Sequence, residues 1–155
     1  MMLSRHISQA SFEHSNDAVA LKIKNEMNAR QCVIAKEFCG TVLDPVIDYF
    51  GEMPSSLWCF RGDALAKAKN YSWGSHHRMK GGYAAADIEF KGISNWALSM
   101  VLSVLVPFDQ IILELHYSNE GPNSGWVHIG WKQNPKKNRY QLKTYNGKTY
   151  TPGLH

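Results

Sequence analysis

The hydrophobic pattern changes its period along the chain, and this change constrains the fold more than any other feature. Between Asn28 and Gly51, apolar residues recur at steps of three and four, the spacing of a buried helix face. From Asp109 onward, apolar and polar residues alternate instead, as they do in strands with one buried face. Helical segments followed by strands predict an α+β fold, in which N-terminal helices pack on a small antiparallel sheet.

The individual elements can be placed from the residues that start and stop them. Pro45 interrupts the first helical pattern, so we expect a kink or a break there. We expect a short helix after Asp63 and a second core helix that begins at Ser94 and stops before Pro107. The predicted strands are 57–61, 85–90, 110–116, 125–132 and 139–145. The last three are expected to form an antiparallel meander.

Length and composition limit the class of protein. The 155 residues are enough for one domain with its own core and too few for two. Hydrophobic residues make up 44% and charged residues 19%, a composition that excludes disordered and fibrous chains. The longest apolar stretch, 96–108, is too short and too polar to span a bilayer. Residues 1–14 lack the apolar segment of a secretory signal peptide, so we expect synthesis in the cytoplasm without one.

Positive charge is concentrated at the C-terminal end of the chain. The formal net charge is +4, but residues 132–155 contain six of the 17 Lys and Arg residues and no acid. We refer to residues 132–155 as the basic strip. No nucleic-acid recognition motif accompanies this charge, so we expect no nucleic-acid partner. Attraction to an anionic surface and simple solubility are both compatible with the strip.

Alternation along the predicted strands places reactive side chains on one face of the sheet. Glu114 and His116 share a face of one strand, and His128 lies on a face of the next. A hairpin centred on Gly121 would place Glu114 directly opposite His128. This pairing suits a metal-assisted hydrolase, although a polar pair on a solvated face gives the same pattern. We expect His116 to be a solvated edge residue.

A second polar group lies in the loop and strand that precede this hairpin. His77 lies in a loop and Asp87 near the start of a strand, and the glycines and alanines between them would let the backbone pass close to an ion. Catalytic zinc takes three ligands from His and Asp or Glu and keeps a fourth position open. His77, Asp87 and His128 can supply that set, with His76 as an alternative first ligand.

Four short motifs follow one another along the chain: Ser75-His76-His77, then Gly81 or Gly82, then Ala85-Ala86-Asp87 and finally Trp126-Val127-His128. In this order they resemble the motifs of the M15 zinc peptidases, which cut peptidoglycan peptides. The segments 58–61 and 109–114 also resemble parts of this family, the second in its phage-type branch. The resemblance covers roughly residues 32–131.

The resemblance implies one peptidase domain over residues 1–155, with zinc as its cofactor. It implies metal ligands at His77, Asp87 and His128, a substrate-binding Ser75, oxyanion stabilisation by Arg61 and a general base, for which the strand pattern offers Glu114. The chain departs from the family pattern at two places. The gap between His77 and Asp87 is three residues longer, and Gly125 stands where many relatives carry an acid.

The leading interpretation is a zinc-dependent, endolysin-like peptidase that hydrolyses peptide bonds in bacterial peptidoglycan by metal-activated water. Such a protein would be made in the bacterial host cytoplasm and would act at the periplasm or cell wall after release, or as part of a virion. We expect a monomer. Two alternatives stay open: a D,D-carboxypeptidase of cell-wall metabolism, and a non-catalytic virion or wall-binding protein with a degenerate site.

Overall fold

Six α-helices and one six-stranded sheet make up the computed structural model, which describes residues 1–155 except for the side chain of Ser118. The helices are α1 Gln9–Glu13, α2 Asn16–Ala20, α3 Ala29–Phe38, α4 Asp44–Phe50, α5 Asp63–Ala68 and α6 Asn95–Leu105. The strands are β1 Ser56–Trp58, β2 Tyr83–Glu89, β3 Gln110–Glu114, β4 Trp126–Lys132, β5 Gln141–Tyr145 and β6 Tyr150–Pro152. The predicted α+β class is confirmed. Among the described residues, no helix is both long and apolar enough to cross a bilayer.

The sheet is mixed, with the strand order β1-β2-β4-β3-β5-β6. β3 and β4 form the expected antiparallel hairpin, but β5 pairs in parallel with β3 on its other side. β2 already occupies the second edge of β4, so β5 cannot continue beside that strand. The expected antiparallel meander is therefore wrong in its last step.

The first long helical segment is interrupted just before Pro45. α3 runs through a π-helical turn, Cys39–Leu43, into α4, and Pro45 lies in the first turn of α4. Proline is tolerated there because the first turn of a helix leaves its N–H groups without helical partners, and the wider π turn absorbs the change in hydrogen bonding. Gly51 ends α4 in a left-handed conformation, with φ of 70°, as a helix-terminating glycine does.

The two faces of the sheet have opposite characters. α3 and α6 contact the central strands on one side, which we refer to as the covered face. Its side chains are buried and almost entirely apolar: Ala84, Ala86, Ile88, Ile111, Leu113, Val127, Ile129 and Trp131. The other side, referred to as the open face, carries the alternate residues of the same strands. These include Asp87, Glu89, Gln110, Ile112, Glu114, Trp126, His128 and Tyr145.

The basic strip is part of this sheet, because residues 132–155 include strands β5 and β6. Asp109 is fully buried and attaches the strip to the body. Its carboxylate accepts hydrogen bonds from Arg139 Nε at 3.0 Å and Nη2 at 2.5 Å, and Lys132 Nζ lies 2.8 Å away. Two of the six cations of the strip are thus paired with this one buried carboxylate.

Candidate metal centre

Three potential metal ligands meet on the open face. His77 comes from the 3₁₀ turn His76–Arg78, while Asp87 on β2 and His128 on β4 are paired opposite each other. Asp87 Oδ1 lies 3.2 Å from His77 Nε2 and 2.9 Å from His128 Nδ1, and these two nitrogens are 3.2 Å apart. All three side chains are buried. The group can hold a metal ion, and we refer to it as the His77–Asp87–His128 centre.

The segment after β1 orients two of the three ligands. His77 Nδ1 donates to the carbonyl oxygen of Cys59 at 2.6 Å, which leaves Nε2 of the same ring facing the centre. Such a bond to the second ring nitrogen is the usual way in which a metal-binding histidine is oriented. Arg61 Nη2 donates to Asp87 Oδ2 at 2.5 Å, so Oδ1 of this carboxylate faces the histidines.

The protonation states suit metal binding, which requires deprotonated ligands. Burial alone would raise the pKa of Asp87, but the neighbouring His77 and His128 hold that pKa well below its usual value. Burial lowers the pKa of His77 despite the opposing effect of Asp87, and this shift favours the neutral imidazole that a metal requires. The centre therefore offers one carboxylate and a neutral ring nitrogen from His77.

The adjacent His76 also lies over the open face, but it contacts other groups. Its Nε2 lies 3.6 Å from Asp109 Oδ2, and its ring packs against Tyr83 with 5.0 Å between the ring centroids. Gly130 makes room for it, because a Cβ at that position would lie 2.4 Å from His76 Nδ1. Of the two histidines that the sequence offers as first ligand, His77 is the one that reaches the centre.

Glu114 lies in the same cavity as the centre, but not directly opposite His128. β3 pairs Glu114 with Trp126 and Ile112 with His128, so the hairpin is centred on residue 120 and the expected pairing is wrong by two residues. A shift of two preserves the alternation of faces, and Glu114 stays on the open face. Burial and the nearby Asp87 raise the pKa of Glu114, while His128 and Arg61 act in the opposite direction.

The backbone explains why position 125 carries no acid. Gly125 has φ of 67°, and a Cβ there would lie 1.8 Å from the carbonyl oxygen of Glu114. Any side chain at this position would collide with the backbone of β3. A carboxylate in this hairpin can therefore reach the cavity from Glu114 but not from position 125.

His116 corrects a further expectation. The chain leaves β3 at Leu115, which has φ of 48°, so the strand alternation ends before His116. His116 is buried, and its Nδ1 lies 3.1 Å from the backbone oxygen of Ser124. It ties the ends of the β3–β4 loop together and is not a solvated edge residue.

A cavity of about 820 Å³ brings together all six of the predicted site residues. They are Arg61, Ser75, His77, Asp87, Glu114 and His128. Sequence reasoning did not assign several other side chains that line it, among them Tyr71, Arg139, Tyr145 and Tyr150. Only the parallel pairing of β5 with β3 places Tyr145 beside Glu114, and nothing in the local pattern of the sequence indicates that pairing.

Comparison with known proteins finds no matching family model, no matching curated protein and no matching solved structure.

Proposed function

We propose that this protein is a zinc-dependent peptidase that hydrolyses peptide bonds in bacterial peptidoglycan. The observation that carries the proposal is the convergence of two histidines and an aspartate on one wall of a cavity that also holds Glu114 and Arg61. The choice of peptidoglycan as substrate is supported by the resemblance of the motifs 75–77, 85–87 and 126–128 to those of M15 peptidases.

The ligand set fits zinc in both chemistry and spacing. Histidine nitrogens and a carboxylate oxygen are typical zinc ligands, and three protein ligands are typical of catalytic sites. Bonds of about 2.0–2.1 Å in a tetrahedral site keep ligand atoms roughly 3.3 Å apart. The three separations here are 3.2, 3.2 and 2.9 Å. When bound, zinc supplies Lewis acidity, which polarises a carbonyl group and acidifies water.

Glu114 is the residue that moves the proton in this proposal. Its carboxylate accepts a proton from the attacking water and returns it to the nitrogen of the leaving amine as the C–N bond breaks. Partial burial raises its pKa, which makes it a better base than an exposed carboxylate and a usable acid in the second step.

Arg61 and Ser75 position the reacting groups. One guanidinium nitrogen of Arg61 is committed to Asp87, and the ring of Tyr71 lies 4.9 Å from the guanidinium carbon. The remaining N–H groups are available to the developing oxyanion of the scissile carbonyl. Ser75 precedes the His76–Arg78 turn and lines the cavity, where its hydroxyl can hold the substrate backbone.

Digestion of purified sacculi, followed by mass spectrometry of the released products, tests the proposal. We expect cleavage that stops in the presence of a chelator, resumes on addition of zinc and is lost in His128→Ala. Chelator-resistant cleavage, or full activity of His128→Ala, would refute the zinc mechanism.

The same products identify the reaction. Cut cross-links or stem peptides indicate an endopeptidase, whereas free D-alanine indicates a carboxypeptidase instead. Metal analysis of the purified protein covers the non-catalytic alternative, because a degenerate site would retain well under one equivalent of zinc.

A further inference from the structure

A second cavity adjoins the His77–Asp87–His128 centre on the β1 side of the sheet. Its volume is about 430 Å³, and it shares Arg61, Tyr71, Asp87 and Trp126 with the larger cavity. A substrate that occupies the larger cavity can therefore extend past the centre into this second one. The proposed peptidase activity assigns no ligand to it.

Two indole rings form apolar walls of the second cavity. Trp58 on β1 is paired with Asp87 on β2, and its Nε1 donates to Ser56 Oγ at 2.7 Å. This bond fixes the orientation of the indole, so the wall is in place before a ligand arrives. Trp126 provides the second indole. Tryptophan rings are favourable surfaces both for an alkyl chain and for a cation at its end.

The charge of this cavity is negative and only partly compensated. Asp17 is paired with Lys69 at 3.1 Å and accepts a hydrogen bond from Tyr71, and Asp87 is paired with Arg61. The third carboxylate, Glu89, has no cation within 4 Å among the described side chains. Its one polar side-chain neighbour is the amide of Asn95, at 3.5 Å, and this amide also donates to the Gly125 carbonyl at 2.9 Å.

The position of Glu89 relative to the centre suits recognition of a side chain next to the scissile bond. Glu89 is two residues after Asp87 on β2, so both point to the open face, about 7 Å apart along the strand. One residue of an extended peptide spans roughly half of the distance between Asp87 and Glu89. The alkyl chain of a basic side chain can span the remaining half and bring its ammonium group to Glu89.

We propose that the second cavity is a specificity subsite for an alkylammonium side chain of the substrate, as in a lysine or another diamino acid beside the scissile bond. The ammonium group pairs with Glu89, and the alkyl chain packs between Trp58 and Trp126. This inference rests on the proposed peptidase function, because that function makes the substrate a peptide.

Binding of matched peptides tests the subsite without relying on turnover. Blocked tripeptides with lysine or norleucine at the central position are titrated by calorimetry into Glu114→Gln protein, which keeps them intact. We expect the lysine peptide to bind at least about tenfold more tightly, as one hydrogen bond to a charged group gives. Glu89→Gln in this background should bring the two affinities to within about twofold. Glu52→Gln, an exposed acid outside both cavities, should leave the preference unchanged.

Equal affinities for the two peptides would overturn the subsite, and so would an unchanged preference in Glu89→Gln with native circular dichroism. The peptide titration and the digestion of sacculi distinguish failure of the subsite from failure of the proposed peptidase function. A lysine preference without digestion of sacculi supports the subsite and refutes the peptidase. Chelator-sensitive digestion combined with equal affinities for the two peptides refutes the subsite alone.

Discussion

The covered face and the open face of the sheet are built from alternate residues of the same strands, yet they follow different rules. On the covered face, residues such as Ile111 and Ile129 are fully buried, and only their size and apolarity matter to the helices above them. On the open face, the neighbouring Gln110 and His128 line cavities, and their chemistry rather than their volume decides what they do. Adjacent residues of one strand therefore serve the apolar core on one face and the candidate metal centre on the other.

Substitution of two adjacent residues of β4, one on each face, tests whether the two faces have separate roles. Ile129→Ala removes a fully buried side chain from the covered face, and we expect a loss of about 2–5 kcal/mol of unfolding free energy with zinc binding retained in the folded fraction. His128→Ala removes one of the proposed zinc ligands on the open face, so we expect zinc affinity to fall more than about 100-fold. Urea unfolding in a chelator and zinc titration measure the two quantities.

The control for this pair is the unfolding free energy of His128→Ala without metal, which we expect to fall by about 1–3 kcal/mol because Asp87 loses a buried hydrogen-bond partner. If His128→Ala and Ile129→Ala instead lose stability equally and both keep zinc affinity, the two faces do not have separate roles.

A second test is confined to the open face. Glu114→Gln keeps the size of the side chain and removes its ability to take a proton, so we expect the hydrolysis rate to fall about 10²–10⁴-fold. Zinc affinity should stay the same, because Glu114 is not one of the three converging ligands. Steady-state kinetics on released stem peptides and zinc titration measure these effects, and a variant with more than about half of the original rate would remove Glu114 from the mechanism.

Asp109 offers a pH test of how the basic strip is attached to the body. Burial alone would raise the pKa of Asp109, but hydrogen bonds from Arg139 and Lys132 lower it to about 2. An unfolded aspartate titrates near pH 3.9, so the depressed pKa stabilises the fold above about pH 4. This stabilisation, on the order of 2 kcal/mol, is lost as the pH falls from about 4 towards 2.

Urea unfolding of wild type and Asp109→Asn across this pH range measures that contribution. We expect the variant to be less stable at pH 6 and the difference between the two proteins to shrink as the pH falls. A difference that stays constant down to pH 2 would show that Asp109 acts through packing and not through its charge.

Local sequence patterns predict most of the elements well, because these depend on short-range periodicity. Alternation places His128 on one face and Ile129 on the other, whereas the spacing of His77 and Asp87 is a weak signal by itself, and the choice of this pair rests on the resemblance to the M15 motifs. The position of β5 depends instead on which edge of the sheet is free, which no local pattern encodes. The pairing of Glu114 with Trp126 depends on the left-handed backbone conformations at Leu115 and Gly125, because these end the paired part of the two strands.

The placement of β5 and β6 changes what the basic strip can do and how it should be tested. Tyr145 and Tyr150 line the larger cavity, so truncating the C-terminus would remove part of the site together with the charge. Charge substitution separates the two. Lys136 and Lys137 are exposed and lie outside that cavity, whereas Arg139 lines it and is paired with Asp109.

The smallest effect we expect is therefore on wall binding by the double variant Lys136→Gln and Lys137→Gln. If the strip attracts the protein to an anionic wall, binding to sacculi at low salt should fall about twofold to fivefold, because exposed charges act weakly and over a long range. At about 1 M salt the difference in binding should vanish, since the screening length is then only about 3 Å. Lys36→Gln with Lys91→Gln makes the same charge change on exposed body residues and should have less effect. Equal losses in both double variants would assign the attraction to net charge and not to the strip.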